Sequence, residues 1–212
     1  MDWLFLVGIA LANNLDNTGV GVAYGIGRIR LPPLINLWIS AVTFVITATA
    51  TALGDHLTHY LPPHLTQALG AVILCGIGMA VMLPSLRKAR QSTGETTERP
   101  RSGEHPHGPS LGDVLADPAQ ADRDGSRHID FSEATLLALA LSINNVGGGV
   151  SAGLLHLSVL WTALLSAAFS FVVLWFGGWA GRQWGTARLG GYAQTAAGTL
   201  LILLGLFQLR GW

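Results

Sequence analysis

The chain has 212 residues, 50% of them apolar and 11% charged, whereas an ordinary soluble domain carries about 25% charged residues. Twelve Lys and Arg balance twelve Asp and Glu, which leaves no basic surface for nucleic acid and no acidic tail. The single cysteine, Cys75, excludes an intramolecular disulfide framework and any cysteine-rich metal centre.

Seven of the 12 basic and eight of the 12 acidic residues lie between Leu83 and Phe131. The remainder reads as an all-α integral membrane protein. A hydrocarbon core about 30 Å thick takes roughly 20 apolar residues in a helix. In chain order the stretches of that kind are Trp3–Gly25, Pro33–Leu53, Leu65–Leu86, Ser132–Leu154, Ser158–Gly181 and Gly190–Leu209. The first is expected to be a span rather than a cleavable signal. It has no basic leading region, and Asn13, Asn14, Asp16 and Asn17 stand in its middle. The 27 glycines suit helices that pack closely in a bilayer.

The connections set the expected orientation. Arg28 and Arg30 follow the first span, seven basic residues follow the third, and Arg182 and Arg188 follow the fifth. With six crossings these connections share one face, and Arg210 alone falls on the other. The excess of basic residues makes the shared face cytoplasmic, with both termini expected outside. Residues 1–86 are then a first three-helix unit, 87–131 a flexible cytoplasmic linker and 132–212 a second unit. The linker is rich in Ser, Thr, Gly, Pro and mixed charge. His105 and His107 in it form an HPHG fragment without a further ligand nearby, which favours a solvated stretch over a metal site.

The two units look like copies. Asn14 to Val22 lies over Ser142 to Val150 at an offset of 128, with Gly25 over Gly153. At 127, Gly54 falls over Gly181, Gln67 over Gln194 and Gly78 over Gly205. Three spans is an odd number, so the second copy enters the bilayer from the opposite side. The expected fold is therefore six transmembrane helices as two inverted three-helix repeats, an architecture of secondary transporters whose sites lie at the midplane.

Asp16 is the one acid well inside a span, and no Lys, Arg or His lies inside any span to neutralise it. A carboxylate at bilayer depth costs about 2.5–3.5 kcal/mol, so it is expected to be protonated or paired with a cation. Alternation between those states is what a cation/proton exchanger requires. Asn13, Asp16 and Asn17 share a helical face, and Asn144 and Asn145 take the equivalent place in the fourth span. These five residues are the candidate metal ligands. Their oxygen donors suit Mn²⁺, Mg²⁺ or Ca²⁺ better than Cu(I) or Zn²⁺. Glycines 19 and 21 and glycines 147 to 149 follow each cluster and could free backbone carbonyls.

Each residue also has a plainer reading. Asparagine in a membrane helix commonly bonds to a neighbouring helix, as Gln67 and Gln194 are expected to do. Thr43, Thr47, Thr49, Thr51, Ser166 and Ser170 could line a path or bond their own backbone. Asp55, His56, His59 and His64 follow the second span, where a solvated loop is favoured over a metal-collecting segment.

The pattern LA-x-x-LDN-x-GVGVAYG in the first span, its echo ALSINN-x-GGGVSAG in the fourth and the repeat with a linker resemble the bacterial manganese efflux pump family. The sporulation membrane protein branch, within the wider lysine-exporter superfamily, is most similar through VGVAYG followed by Arg-Ile-Arg-Leu-Pro. The resemblance covers both units and implies Mn²⁺ export, with Asp16 in the place of the family's first-span aspartate. It implies Mn²⁺ as cargo and no resident cofactor. Where the family usually has a second aspartate this chain has Asn144, which leaves at most one negative charge at the site. Export of a monovalent cation or an amino-acid-like solute therefore stays open, as does a non-transporting scaffold. The expected partners are a divalent cation and the lipid bilayer, with a homodimer one option for assembly. No span holds a Ser/His or Cys/His pair, so an enzyme is not expected.

Overall fold

The computed structural model describes residues 2–15, 17–62, 64–66, 68–76, 79, 114, 118–184, 199–200, 202–204 and 206. Helices α1 (Asp2–Leu15) and α2 (Asn17–Gly27) flank position 16. Helix α3 runs over Pro33–Thr58, and a shorter apolar helix, α4, spans His64–Gly76. Helices α5 (Phe131–Leu154) and α6 (Val159–Trp184) follow. Residues 199–206, where described, are helical.

Helices α3 and α6 are long and apolar enough to cross a membrane. At 26 residues each they reach about 39 Å. Helix α5 is a third candidate if its two parts, Phe131–Ile143 and Asn145–Leu154, count as one span across a 46° bend. Pro33 starts α3, where a missing N–H costs nothing and the fixed φ suits the helix. The third and sixth expected spans lie partly outside the described residues. Cys75 and Ile202, 127 apart, nevertheless meet through a Cys75 Sγ contact to the Ile202 carbonyl at 3.8 Å.

Burial is inverted relative to a soluble protein. Asn14, Thr43, Thr47, Ser142, Asn145, Ser166 and Ser170 are buried, while Val45, Val172, Trp175 and Phe176 point outward. Trp175 is 52% exposed and Phe176 61%. An apolar exterior around a polar centre is favourable in lipid and costly in water.

Two helix pairs close through glycines, with the same contacts on each side. A Cβ on Gly54 would strike the carbonyl of Val150, and one on Gly181 that of Val22. On Gly153 it would meet the Thr51 carbonyl and the Asp55 N–H; on Gly25, the Gly178 carbonyl and the Arg182 N–H. A Cβ on Gly149 would lie 3.2 Å from the Thr47 carbonyl and one on Gly21 2.8 Å from that of Leu174. Each of these contacts in the α3–α5 seam thus has a counterpart 127 or 128 residues away in the α2–α6 seam. The ends of α2 and α5 match too. Arg28 (φ 56) and His156 (φ 57) are both left-handed. Ile29 N–H donates to Tyr24 O at 2.9 Å and Leu157 N–H to Ala152 O at 3.0 Å. Both are Schellman closures, which satisfy carbonyls that the helix leaves free.

The last part of the expected flexible linker is folded instead. Pro118–Ala121 form a 3₁₀ turn, and Ala121 and Ile129 are fully buried beside Ile29 and Ile35. Those apolar side chains anchor a segment whose composition suggested solvent. Arg30 N–H donates to Arg127 O at 2.8 Å and Ile129 N–H to Arg30 O at 3.3 Å, which ties this segment to the α2–α3 connection. Asp130 then starts α5 in a capping box with Glu133. The Glu133 N–H holds the Asp130 carboxyl below its ordinary pKa, and the Ser126 N–H does the same for Asp124. Both groups stabilise the fold above the ordinary carboxylate range and lose that contribution as pH falls through the lowered pKa.

Candidate ion-binding site

The polar centre is assembled by α1, α2, α3, α5 and α6. Asn14 donates through Nδ2 to Ala10 O at 2.8 Å and to Asn145 Oδ1 at 3.4 Å. Asn17 Nδ2 donates to Asn14 Oδ1, also at 3.4 Å. A chain of amides therefore links α2, α1 and α5 at the level of the bend in α5. One layer on, Thr43 Oγ1 donates to Ile39 O at 3.1 Å and lies 3.4 Å from Ser142 Oγ and 3.5 Å from Ser170 Oγ. Thr43 and Ser170 are 127 apart, so a residue and its counterpart touch.

Asn13 differs from its neighbours. It is 1% exposed, and neither Oδ1 nor Nδ2 has a hydrogen-bond partner. Its carboxamide fills the space that a Cβ on Gly148 would take. Thr47 Oγ1, Ser166 Oγ and Asn145 Nδ2 are likewise buried without a partner. Burying an unsatisfied polar group costs about 1–3 kcal/mol, so several in one region mark a place suited to a polar ligand or water. Among the described residues no ionised side chain enters this layer. Glu133, the one buried charged residue, lies at the start of α5.

Of the expected ligands, Asn17 and Asn145 are joined through Asn14, and Asn13 packs on Gly148 in the next turn of α5. Asp16 and the side chain of Asn144 lie outside the described residues, as do Gln67, Gln194, His105 and His107. Asn14 was in the repeat alignment but not among the expected ligands. Its signal was an uncharged amide two positions before Asp16, which helical spacing alone set on another face. Thr51 and Thr49 bond their own backbone at Thr47 O and Val45 O, as the plainer reading had it. His59 Nδ1 meets the backbone carbonyl of Asp55 at 3.3 Å, whereas the Asp55 carboxylate pairs with His156 Nδ1 at 3.3 Å. That contact ties the ends of α3 and α5 rather than building a helical metal pair. A cleft of about 180 Å³ between α2, α3 and α6 is lined by Tyr24, Asn36, Trp175 and Arg182, among others. Its arginine makes it a poor seat for a cation.

The family described as "Putative manganese efflux pump" matches residues 1–82 and 115–209. The chain belongs to this family. The family description points to a membrane protein of metal efflux and to a metal cation as the substrate class. The chain is also 30% identical over 212 residues to "Probable sporulation protein YtaF" of Bacillus subtilis (strain 168), covering 99% of this chain and 100% of that relative. No solved structure matches. The family match omits residues 83–114 and resumes just before the folded end of the linker.

Proposed function

We propose that this efflux-family member exports Mn²⁺ or a related divalent cation from the bacterial cytoplasm in exchange for protons. The site is at the bilayer midplane, where α1 and α2 meet α5, with Asp16 as its one carboxylate. Asn13, Asn17, Asn144 and Asn145 supply amide oxygens around it. The observation that carries this reading is Asn13, a fully buried carboxamide without a protein partner, three residues from Asp16 and packed on Gly148 of α5. A dehydrated cation would satisfy such an oxygen and neutralise the carboxylate. After release, a proton would take its place on Asp16, so the carboxylate never stands unpaired in the hydrocarbon, while a divalent ion bound there keeps one net positive charge that the amide oxygens solvate.

Alternating access in this reading comes from two inverted three-helix repeats, 1–86 and 132–212, joined by a cytoplasmic linker, with both termini outside. The matched glycine seams, the matched helix ends and the Thr43–Ser170 contact support it, because each pairs residues at the repeat offset. The site then sits on the pseudo-two-fold axis, where rocking of one repeat against the other opens it to either side.

Purified protein in liposomes, with a Mn²⁺-quenched dye and a pH dye, tests the proposal. Mn²⁺ entry into the dye compartment should drive counter-movement of protons, and Mn²⁺ flux without any proton movement would refute the exchange. Replacing Gly148 with Ala is a subtler probe. The new methyl group meets the Asn13 carboxamide, which can swing away, rather than rigid backbone. Transport should fall by at least about tenfold, because small misplacements of a positioned group are costly, while thermal stability in detergent changes little. An unaltered transport rate would remove Asn13 from the site.

The likeness to a sporulation protein over the full length favours one other reading, a membrane role in development without transport. No Mn²⁺ flux above empty liposomes, from protein shown to be folded, would select it.

A further inference from the structure

We propose that Asp122–Glu133, at the folded end of the linker, is a Ca²⁺-binding loop, separate from the intramembrane site. Its sequence is DRDGSRHIDFSE. A 12-residue EF-hand loop presents oxygen from positions 1, 3, 5, 7, 9 and 12, with a backbone carbonyl at 7 and a glutamate at 12. Here those positions are Asp122, Asp124, Ser126, His128, Asp130 and Glu133. Carboxylate oxygens of Asp122, Asp124 and Glu133 lie within 4.8 Å of one another. Closeness in space thus brings together three of the six groups that spacing along the chain selects.

A second observation points to a ligand. Asp122 Oδ1 is buried from solvent and accepts no hydrogen bond, while Oδ2 of the same residue accepts from Arg127 N–H at 3.0 Å. Glu133 is 4% exposed, and its oxygens accept only from backbone, Arg123 N–H at 2.7 Å and Asp130 N–H at 3.2 Å. Among the described residues the ion pair is that of Asp55 with His156, so no basic side chain neutralises these acids. Three converging carboxylates without a counter-charge repel one another, and a divalent cation removes that cost. All-oxygen donors with a hydroxyl and a backbone carbonyl favour Ca²⁺, which accepts six to eight ligands of loose geometry, over octahedral Mg²⁺. The loop departs from the EF-hand pattern at position 6, where Arg127 replaces glycine but keeps the left-handed turn (φ 60).

The loop is wired to the transporter. Ile129, at position 8, and Arg127 form the two hydrogen bonds to Arg30 in the α2–α3 connection, and Glu133 stands in the first turn of α5. Cation binding therefore fastens the linker to three of the helices that build the polar centre.

Calorimetric titration of the metal-stripped full-length protein in detergent with CaCl₂, MnCl₂ and MgCl₂ tests this. Asp16→Asn, which lacks the intramembrane carboxylate, should bind one Ca²⁺ per chain at this loop and prefer Ca²⁺ over Mg²⁺ and Mn²⁺, with the same Ca²⁺ affinity as the wild type. Asp122→Asn, Asp124→Asn and Glu133→Gln should each weaken it by at least about tenfold. Asp124 is exposed, so Asp124→Asn keeps the test valid if the buried Glu133 variant fails to fold. Absence of Ca²⁺ binding in the wild type, a preference for Mn²⁺ or Mg²⁺ in Asp16→Asn, where the intramembrane site lacks its carboxylate, or unchanged Ca²⁺ affinity in Asp122→Asn and Asp124→Asn would overturn the assignment. Loss of the Ca²⁺ site in Asp16→Asn would move it into the membrane and overturn it equally.

Discussion

Asp16→Asn is expected to reduce Mn²⁺ export in proteoliposomes by at least about 100-fold and to abolish the coupled pH change. Leaving a buried charge without its partner costs about 3–5 kcal/mol, and each 1.4 kcal/mol is tenfold. The substitution keeps size and shape, so the melting temperature in detergent should hold. That combination, a dead transporter with an intact fold, separates a functional carboxylate from a packing residue. The reciprocal change, Asn144→Asp, supplies a second negative charge and should tighten Mn²⁺ binding. Full flux in Asp16→Asn would refute the proposed chemistry and leave family membership untouched.

The second large effect concerns the glycine seams. Gly25→Ala places a methyl group against backbone of α6, with Arg182 N at 2.7 Å and Gly181 Cα at 2.8 Å. Gly153→Ala does the same against α3, with Asp55 N at 2.5 Å and the Gly54 carbonyl carbon at 2.8 Å. Backbone cannot rotate aside as Asn13 can, so the helices must separate. Overpacking of this kind costs about 1–3 kcal/mol or more, enough to lower the melting temperature by several degrees. The two variants should be destabilised alike, since the carbonyl and N–H that each methyl group would meet correspond at an offset of 127. A large loss in one with no loss in the other would argue against equivalent seams.

How much of this was legible beforehand differs from residue to residue. The long apolar stretches for α3 and α6 could be read from length and hydropathy alone, as could most of α5 from the stretch Ser132–Leu154. The offset linking Gly25 with Gly153 and Gly54 with Gly181 was also visible, although not that each would rest on its partner's backbone. The end of the linker was misread because average composition hid Ala121 and Ile129, two apolar anchors in a polar stretch. The spacing of Asp122, Asp124 and Glu133 stood in the same stretch, overlooked for the same reason. At the polar centre, Asn13 and Asn17 were selected by helical spacing, whereas Asn14 was not.

The sequence by itself determined that this chain forms long apolar helices and that its glycines recur at offsets of 127 and 128, since these depend on spacing and composition along the chain. Only the tertiary structure decided which groups meet. It set Asn14 against Asn145, left Asn13 without a partner on Gly148, and closed the linker onto Arg30. Contacts between residues more than 90 positions apart depend on how helices approach and rotate. Glycine seams fix that approach, and no local pattern encodes it.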